Sequence, residues 1–175
     1  MTPRPRSVDN AIIIEHACQL LIDRGRDAVT FGQVAQRCGL AAPTLVQRFA
    51  TRDDMLSAVS RALADQLAAV FAVRGPSPLA ALEAGLRRAA PLVSAAISLG
   101  PHAGADRFCL ELRKQISYGL ASAIEEAELP RCDVAQLART IQISVAGAVA
   151  TARLEGGDAS VETALALRAQ LATYI

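Results

Sequence analysis

Residues Thr30–Arg52 read TFGQVAQRCGLAAPTLVQRFATR, and the pattern predicts two short helices joined by a glycine turn. The Thr30 hydroxyl stands where it can accept from first-turn N–H groups, and Gln33 three residues on is the return arm of a capping box. Val34 and Ala35 face inward, and Cys38 closes the same side one turn later. Gly39 follows as the residue that tolerates φ > 0 and ends the helix. Leu40 plugs the turn. Ala42, Pro43 and Thr44 open the second helix, where the missing proline N–H costs no helical bond. Leu45 and Phe49, four apart, pin that helix to the first. Ala42, Pro43, Thr44, Gln47 and Arg48 are left on the outer face. A second helix presenting small and polar residues outward suits docking in a DNA major groove. The same spacing also fits an αα-hairpin that only packs.

Composition narrows the class. The chain has 175 residues, 52% hydrophobic but only 3% aromatic, without tryptophan. Alanine and leucine dominate and strand formers never alternate over a useful length, so an all-α fold is expected. Net charge is +1, which excludes a generally basic nucleic-acid coat; any DNA affinity must come from locally placed arginines. Cys18, Cys38, Cys109 and Cys132 show no metal-ligand spacing, and His16 and His102 are the only histidines. Neither a zinc site nor a disulfide framework is expected, and no cofactor. Cys18 and Cys38 read as small core hydrophobes, whereas Cys109 and Cys132 leave oxidant sensing open. The first ten residues, MTPRPRSVDN, are polar, and charges interrupt every helix before it reaches membrane-spanning length. The expectation is a cytoplasmic protein with no membrane partner.

Outward from the decisive stretch, Met1 to Ser7 carry Pro3, Arg4, Pro5 and Arg6, and read equally as a frayed terminus or as an arm touching DNA. A helix is predicted from about Val8 to Arg24, with Ile13, Ala17, Leu20 and Leu21 as its buried stripe and Gly25 at its end. Thr51 caps a further helix, with Asp53 and Asp54 in its first turn, running to about Val73. Gly75, Pro76, Ser77 and Pro78 form the clearest break. The expected organisation is therefore a helix-turn-helix domain at 1–50, a connecting helix at 51–74 and a helical domain at 75–175. Within the last, helices are expected at about Pro78–Ala89, Pro91–Leu99, Asp106–Glu128, Asp133–Glu155 and from Asp158 or Ser160 to Tyr174.

Taken together, Ile13 to Leu56 resembles the DNA-binding domain of the TetR (tetracycline repressor) family of bacterial regulators. The matching pieces are Ile13, Ile14, Ala17, Cys18, Leu20, Leu21 and Gly25, then Val29, Thr30, Val34, Ala35, Gly39, Leu40, Pro43, Thr44, Leu45 and Phe49, then Thr51 to Leu56. Order, spacing and chemistry agree over three helices, across about a quarter of the chain. The sequence departs from the family pattern at Val46, usually tyrosine, at Arg48, usually tyrosine or histidine, and at Ala41, where a Ser or Thr cap is common. Val46 cannot donate to a phosphate; Arg48 can do so with a charge-assisted bond.

The resemblance implies an N-terminal three-helix helix-turn-helix domain and a C-terminal helical ligand-binding and dimerisation domain. It implies a ligand-responsive regulator, a repressor, that binds palindromic operator DNA as a homodimer. Thr44 and Gln47 would read base edges, and Ala42 or Pro43 would make apolar contacts. Arg48, Arg52 and Thr30 would meet phosphates, Thr30 in competition with its capping role. The helices near 133–155 and 159–174, rich in small residues between Ser144 and Ala152 and in Val161, Leu165, Leu167 and Leu171, would meet their twins. A pocket between about Leu63 and Arg153 would hold a small hydrophobic effector, with Phe71, Phe108, Ser117, Tyr118 and Gln142 as candidate lining. Few aromatics point to an aliphatic pocket, and the short region after Gly75 argues against a large ligand. Two other classes compete. An enzyme would need His16 or His102 beside a nucleophile, and no such pairing is visible. A helical dimeric interaction module without DNA binding fits the weak net charge, and the salt dependence of DNA binding discriminates it.

Overall fold

The computed structural model describes residues 8–72, 74–100 and 104–174, and among them every regular element is helical. In order these are α1 (Asn10–Arg24), a 3₁₀ turn (Arg26–Ala28), α2 (Phe31–Cys38), α3 (Ala42–Phe49), α4 (Arg52–Phe71), α5 (Pro78–Leu99), α6 (Ala105–Glu125), α7 (Val134–Glu155) and α8 (Ala159–Leu171). The fold is an N-terminal helix-turn-helix unit followed by a C-terminal helical domain. The basic arm at residues 1–7 and His102 lie outside the described residues.

Helix starts follow side-chain chemistry. Asp9, Thr30, Thr51, Ser77, Asp133 and Asp158 each stand in extended backbone and accept a first-turn N–H, filling donors that a helix leaves free. At Thr51 both arms of a capping box form, with Asp54 returning to the Thr51 N–H. At Thr30 only one arm forms among the described bonds: its hydroxyl accepts from Gln33 N at 3.3 Å, while the Gln33 side chain stays exposed and does not return. The expected box there is half a box.

Other departures also have physical reasons. α1 begins at Asn10 rather than Val8, because Asp9 takes the cap and accepts from Ala11 N at 3.1 Å. The expected break at Pro91 does not occur, and α5 runs unbroken from Pro78 to Leu99. Proline there removes the helical bond to the Arg87 carbonyl. Pro91 is exposed, so water can reach that carbonyl, and buried Leu92, Val93 and Ala95 hold the second half in line. α4 stops at Phe71, and α8 stops at Leu171, before Tyr174.

One continuous core joins the helices. Ile13, Ala17, Leu20 and Leu21 of α1 pack with Val34, Leu45, Met55, Leu56 and Val59, while Leu63 and Leu67 carry α4 onward among the buried side chains of α5 and α6. α4 touches α1 on one side and α5 and α6 on the other, so it is shared between the two groups of helices. α7 and α8 pack together and against α5, where Arg168 of α8 donates to both carboxylate oxygens of Glu83 at 2.9 and 3.0 Å.

Candidate nucleic-acid interface

The turn between α2 and α3 is closed by backbone bonds that need a glycine. Gly39 sits at φ +67° and ψ 29°, the Leu40 N–H reaches the Ala35 carbonyl at 2.9 Å, and the Gly39 N–H reaches that of Gln36 at 3.3 Å. This 6→1 and 5→2 pair is a Schellman motif. α3 starts on Ala41, which has no side-chain cap, with Pro43 in its first turn. Tertiary contact compensates: Leu45 is fully buried beside Val34 and Ala35, and Phe49 packs against the same core. At its far end α3 runs into a strained residue. Ala50 adopts φ +53° and ψ −61°, and the Thr51 N–H turns back to the Phe49 carbonyl, a φ-positive γ-turn of a kind rarely held by a residue with a Cβ.

The outer side of α3 presents Pro43, Val46 and Gln47 to solvent, while Ala42, Thr44 and Arg48 are half-buried. Val46 is 47% exposed and centred on this face. Val46 cannot donate to a phosphate, yet its spacing, three residues from Pro43, brings it to this face. Gln47 and Arg48 also edge an open groove of about 1080 Å³ between α1, α3 and α4.

The cations are engaged inside the domain. Arg48 donates to the Val8 carbonyl and, at 3.0 Å, to Asn10 Oδ1, tying α3 to the start of α1. Arg52 donates through Nε to the Val29 carbonyl at 2.8 Å and through one terminal nitrogen to that of Arg26 at 2.7 Å. It therefore braces the start of α4 against the 3₁₀ turn and the approach to α2. Thr30 caps α2 and keeps a hydroxyl proton to donate. Behind this unit Cys18 is buried between α1 and α4, its Sγ 3.8 Å from the Val59 carbonyl, and burial pushes its thiol up to about 12. Cys38 is half-buried, and burial raises its pKa too.

The five candidate effector residues fall in different places. Phe108 and Gln142 line one cavity of about 310 Å³ between α5, α6 and α7. Gln142 is 7% exposed, and its amide is held at both ends: Oε1 accepts from Arg113 Nε and Nε2 donates to the Cys109 carbonyl, each at 2.8 Å. Phe71 and Tyr118 line a separate cleft of about 490 Å³ beside Gly75 and Pro78. The Phe71 ring lies directly over Gly85. Ser117 is half-buried on α6 and lines neither space. Sequence reasoning missed Ser60 of α4, which lines the Phe108 cavity.

On the far side, α7 and α8 carry exposed apolar side chains: Ile143, Leu154, Val161 and Leu165, with Leu154 at 88% exposure. A Cβ added at Gly147, on the same helix, would meet nothing within 4 Å. Among the described residues no helix is long and apolar enough to cross a membrane, and no group of three or more His, Cys, Asp or Glu side chains could hold a metal ion.

Comparisons with known proteins bear on this geometry. Residues 13–59 match the family model of bacterial regulatory proteins, tetR family. No curated protein matches the sequence. Among solved structures, the chain is similar to a TetR transcription regulator from Haloarcula marismortui, at TM-score 0.71 and 19% identity, over 94% of this chain and 98% of that one. It is similar to SmeT, the repressor of the Stenotrophomonas maltophilia multidrug efflux pump SmeDEF, at TM-score 0.68 and 17% identity, over 96% and 91%. It is also similar to the transcriptional regulator FadR from Bacillus subtilis in complex with stearoyl-CoA, at TM-score 0.69 and 13% identity, over 93% and 97%.

Proposed function

The amino-terminal domain of this chain belongs to the tetR family of bacterial regulatory proteins, and from that premise we propose that the protein is a ligand-responsive transcriptional repressor, a binding protein and not an enzyme, that grips palindromic operator DNA as a homodimer. The observation that carries the reading is the outer side of α3: a short helix clamped from behind by Leu45 and Phe49, with Pro43, Val46 and Gln47 turned outward. A rod held in that way enters a major groove without first having to be ordered.

In this reading Thr44 and Gln47 contact base edges, and Ala42, Pro43 and Val46 make apolar contacts such as one to a thymine methyl. Arg48 swings from Asn10 to a phosphate, Thr30 offers its hydroxyl to another, and Arg52 meets the backbone only with donors its two carbonyls leave free. Exposed Ile143, Leu154, Val161 and Leu165 support pairing of α7 and α8 with those of a second copy, because isolated surface leucines are ordinary but a row on adjoining helices marks an interface. Two copies then address half-sites about one DNA turn apart. The repressor description of the Stenotrophomonas protein and the acyl-CoA bound to the Bacillus protein support the sign and the effector response.

The test is selection of bound sequences from random duplex DNA, followed by a gel shift on the winner. A palindrome is expected, and Arg48→Ala should weaken binding equally on all sequences. A second reading, a helical dimer that does not bind DNA, draws on the inward engagement of both Arg48 and Arg52. It predicts no enriched sequence and no steep loss of affinity with salt.

A further inference from the structure

The cavity bounded by Phe108 and Gln142 has a lining that restricts what can enter it. Among the described residues no charged side chain lines it; its walls are chiefly Val93, Ile97, Phe108 and Leu112, with Cys109 beside them. An ion moved there would exchange its hydration for a mostly apolar lining with one hydroxyl and an amide already bonded at both ends. Among the described lining residues, Ser60 and Gln142 are unlike each other. Gln142 is held at both ends of its amide by α6. Ser60 is only 3% exposed, yet its hydroxyl makes no hydrogen bond among the described residues. Ser60 lines the void, and its hydroxyl brings a donor and an acceptor to a mostly apolar wall.

We propose that this cavity takes a small uncharged molecule, mostly aliphatic, whose one polar group hydrogen-bonds the Ser60 hydroxyl of α4. Size follows from volume: an apolar cavity of about 150 Å³ takes benzene, so the space here suits roughly ten to fifteen non-hydrogen atoms. Gly104 keeps the hydroxyl clear, since it holds φ +106° and an added Cβ would sit 3.3 Å from Ser60 Oγ. Ser60 lies on the helix that Arg52 braces against the DNA-reading unit. Occupancy therefore acts on that shared helix directly, a consequence that rests on the regulator reading, whereas the ligand class does not.

The experiment is isothermal titration of the full chain with nonanol and with nonanoate at pH 8. Nonanol should bind and nonanoate should not. Ser60→Ala should weaken nonanol about two- to tenfold, the worth of one neutral hydrogen bond, while Ala146→Leu, which fills the cavity, should abolish binding. Melting curves without ligand confirm that each variant folds; should Ala146→Leu fail, Ala96→Leu fills the space from α5. Nonanoate binding as tightly as nonanol, or nonanol indifferent to Ser60→Ala and to cavity filling, overturns the proposal. Operator affinity of the ligand-free protein is measured in parallel. If that affinity is absent while the nonanol pattern holds, the regulator reading fails and the ligand class stands. If DNA binds and nonanol gives no heat, the ligand class fails alone.

Discussion

Arg52→Ala separates a brace from a phosphate contact. In the wild type the guanidinium spans the Val29 carbonyl at 2.8 Å and the Arg26 carbonyl at 2.7 Å. Each hydrogen bond to a charged group contributes about 1.5–3 kcal/mol where both partners are buried. Arg52 and Arg26 are half-buried, so solvent discounts the pair to about 2 kcal/mol, with most of the cost at the carbonyl of fully buried Val29. For a chain of this size that loss lowers the melting temperature by about 4–8 °C. Arg52→Lys should recover less than half, because an ammonium is a point charge without the planar fork that reaches two carbonyls. The assay is thermal and urea unfolding by circular dichroism, with operator affinity measured across a salt series well below the transition. If Arg52 only braces, stability falls while the salt slope stays; a lost phosphate contact flattens the slope by about 0.9. An unchanged melting temperature together with a flatter slope would refute the brace.

Three further outcomes follow from geometry. Ala50→Gly should raise stability by about 1 kcal/mol, read by urea denaturation, because release of the φ-positive strain exceeds the added freedom of the unfolded chain; a loss of stability would mean the γ-turn is unstrained. Glu83 is held below the usual carboxylate range, first by its bonds to Arg168 and then by those to Arg87. Its contribution is fully present above the ordinary glutamate value of about 4.3 and is lost as pH falls through the lowered one. Arg168→Ala should therefore shrink the acid-side loss of stability in melts below that pH, and an unaltered acid limb would deny the coupling. Native protein treated with iodoacetamide at pH 8 should be alkylated at exposed Cys109 and spared at Cys18, whose thiol is pushed up to about 12. Equal labelling by mass spectrometry would mean that the contact between α1 and α4 opens readily.

Local chemistry made the helix-turn-helix legible. Thr30, Gly39, Pro43 and Thr51 each act within a few residues of themselves, through caps and a turn, so their roles show in order and spacing alone. Interactions between distant segments left no such trace. Nothing near Arg52 in the chain signals that its partners are the carbonyls of Arg26 and Val29, and Arg48 reaching Asn10 is equally silent. Pro91 misled because a local rule met a tertiary exception: an exposed proline can be carried by the packing of the residues after it. Residue type marks effector candidates, but type does not say which faces converge. Phe108 and Gln142 share a cavity, Phe71 and Tyr118 share another space, and Ser117 joins neither. Ser60 left a faint mark, as the lone polar residue in the buried stripe of Leu56, Leu63 and Leu67. A hydroxyl in a stripe of leucines reads as an accident until a void is seen in front of it.

The bare leucine near the end of α7 has a consequence at low copy number. If its burial awaits a second chain, folding and pairing share one equilibrium, and dilution pulls both apart. Occupied operator then rises with the square of subunit concentration while monomers prevail, and linearly once dimers do. A gene under such control would feel a twofold change in synthesis of this chain most sharply when few copies are present, with no effector involved.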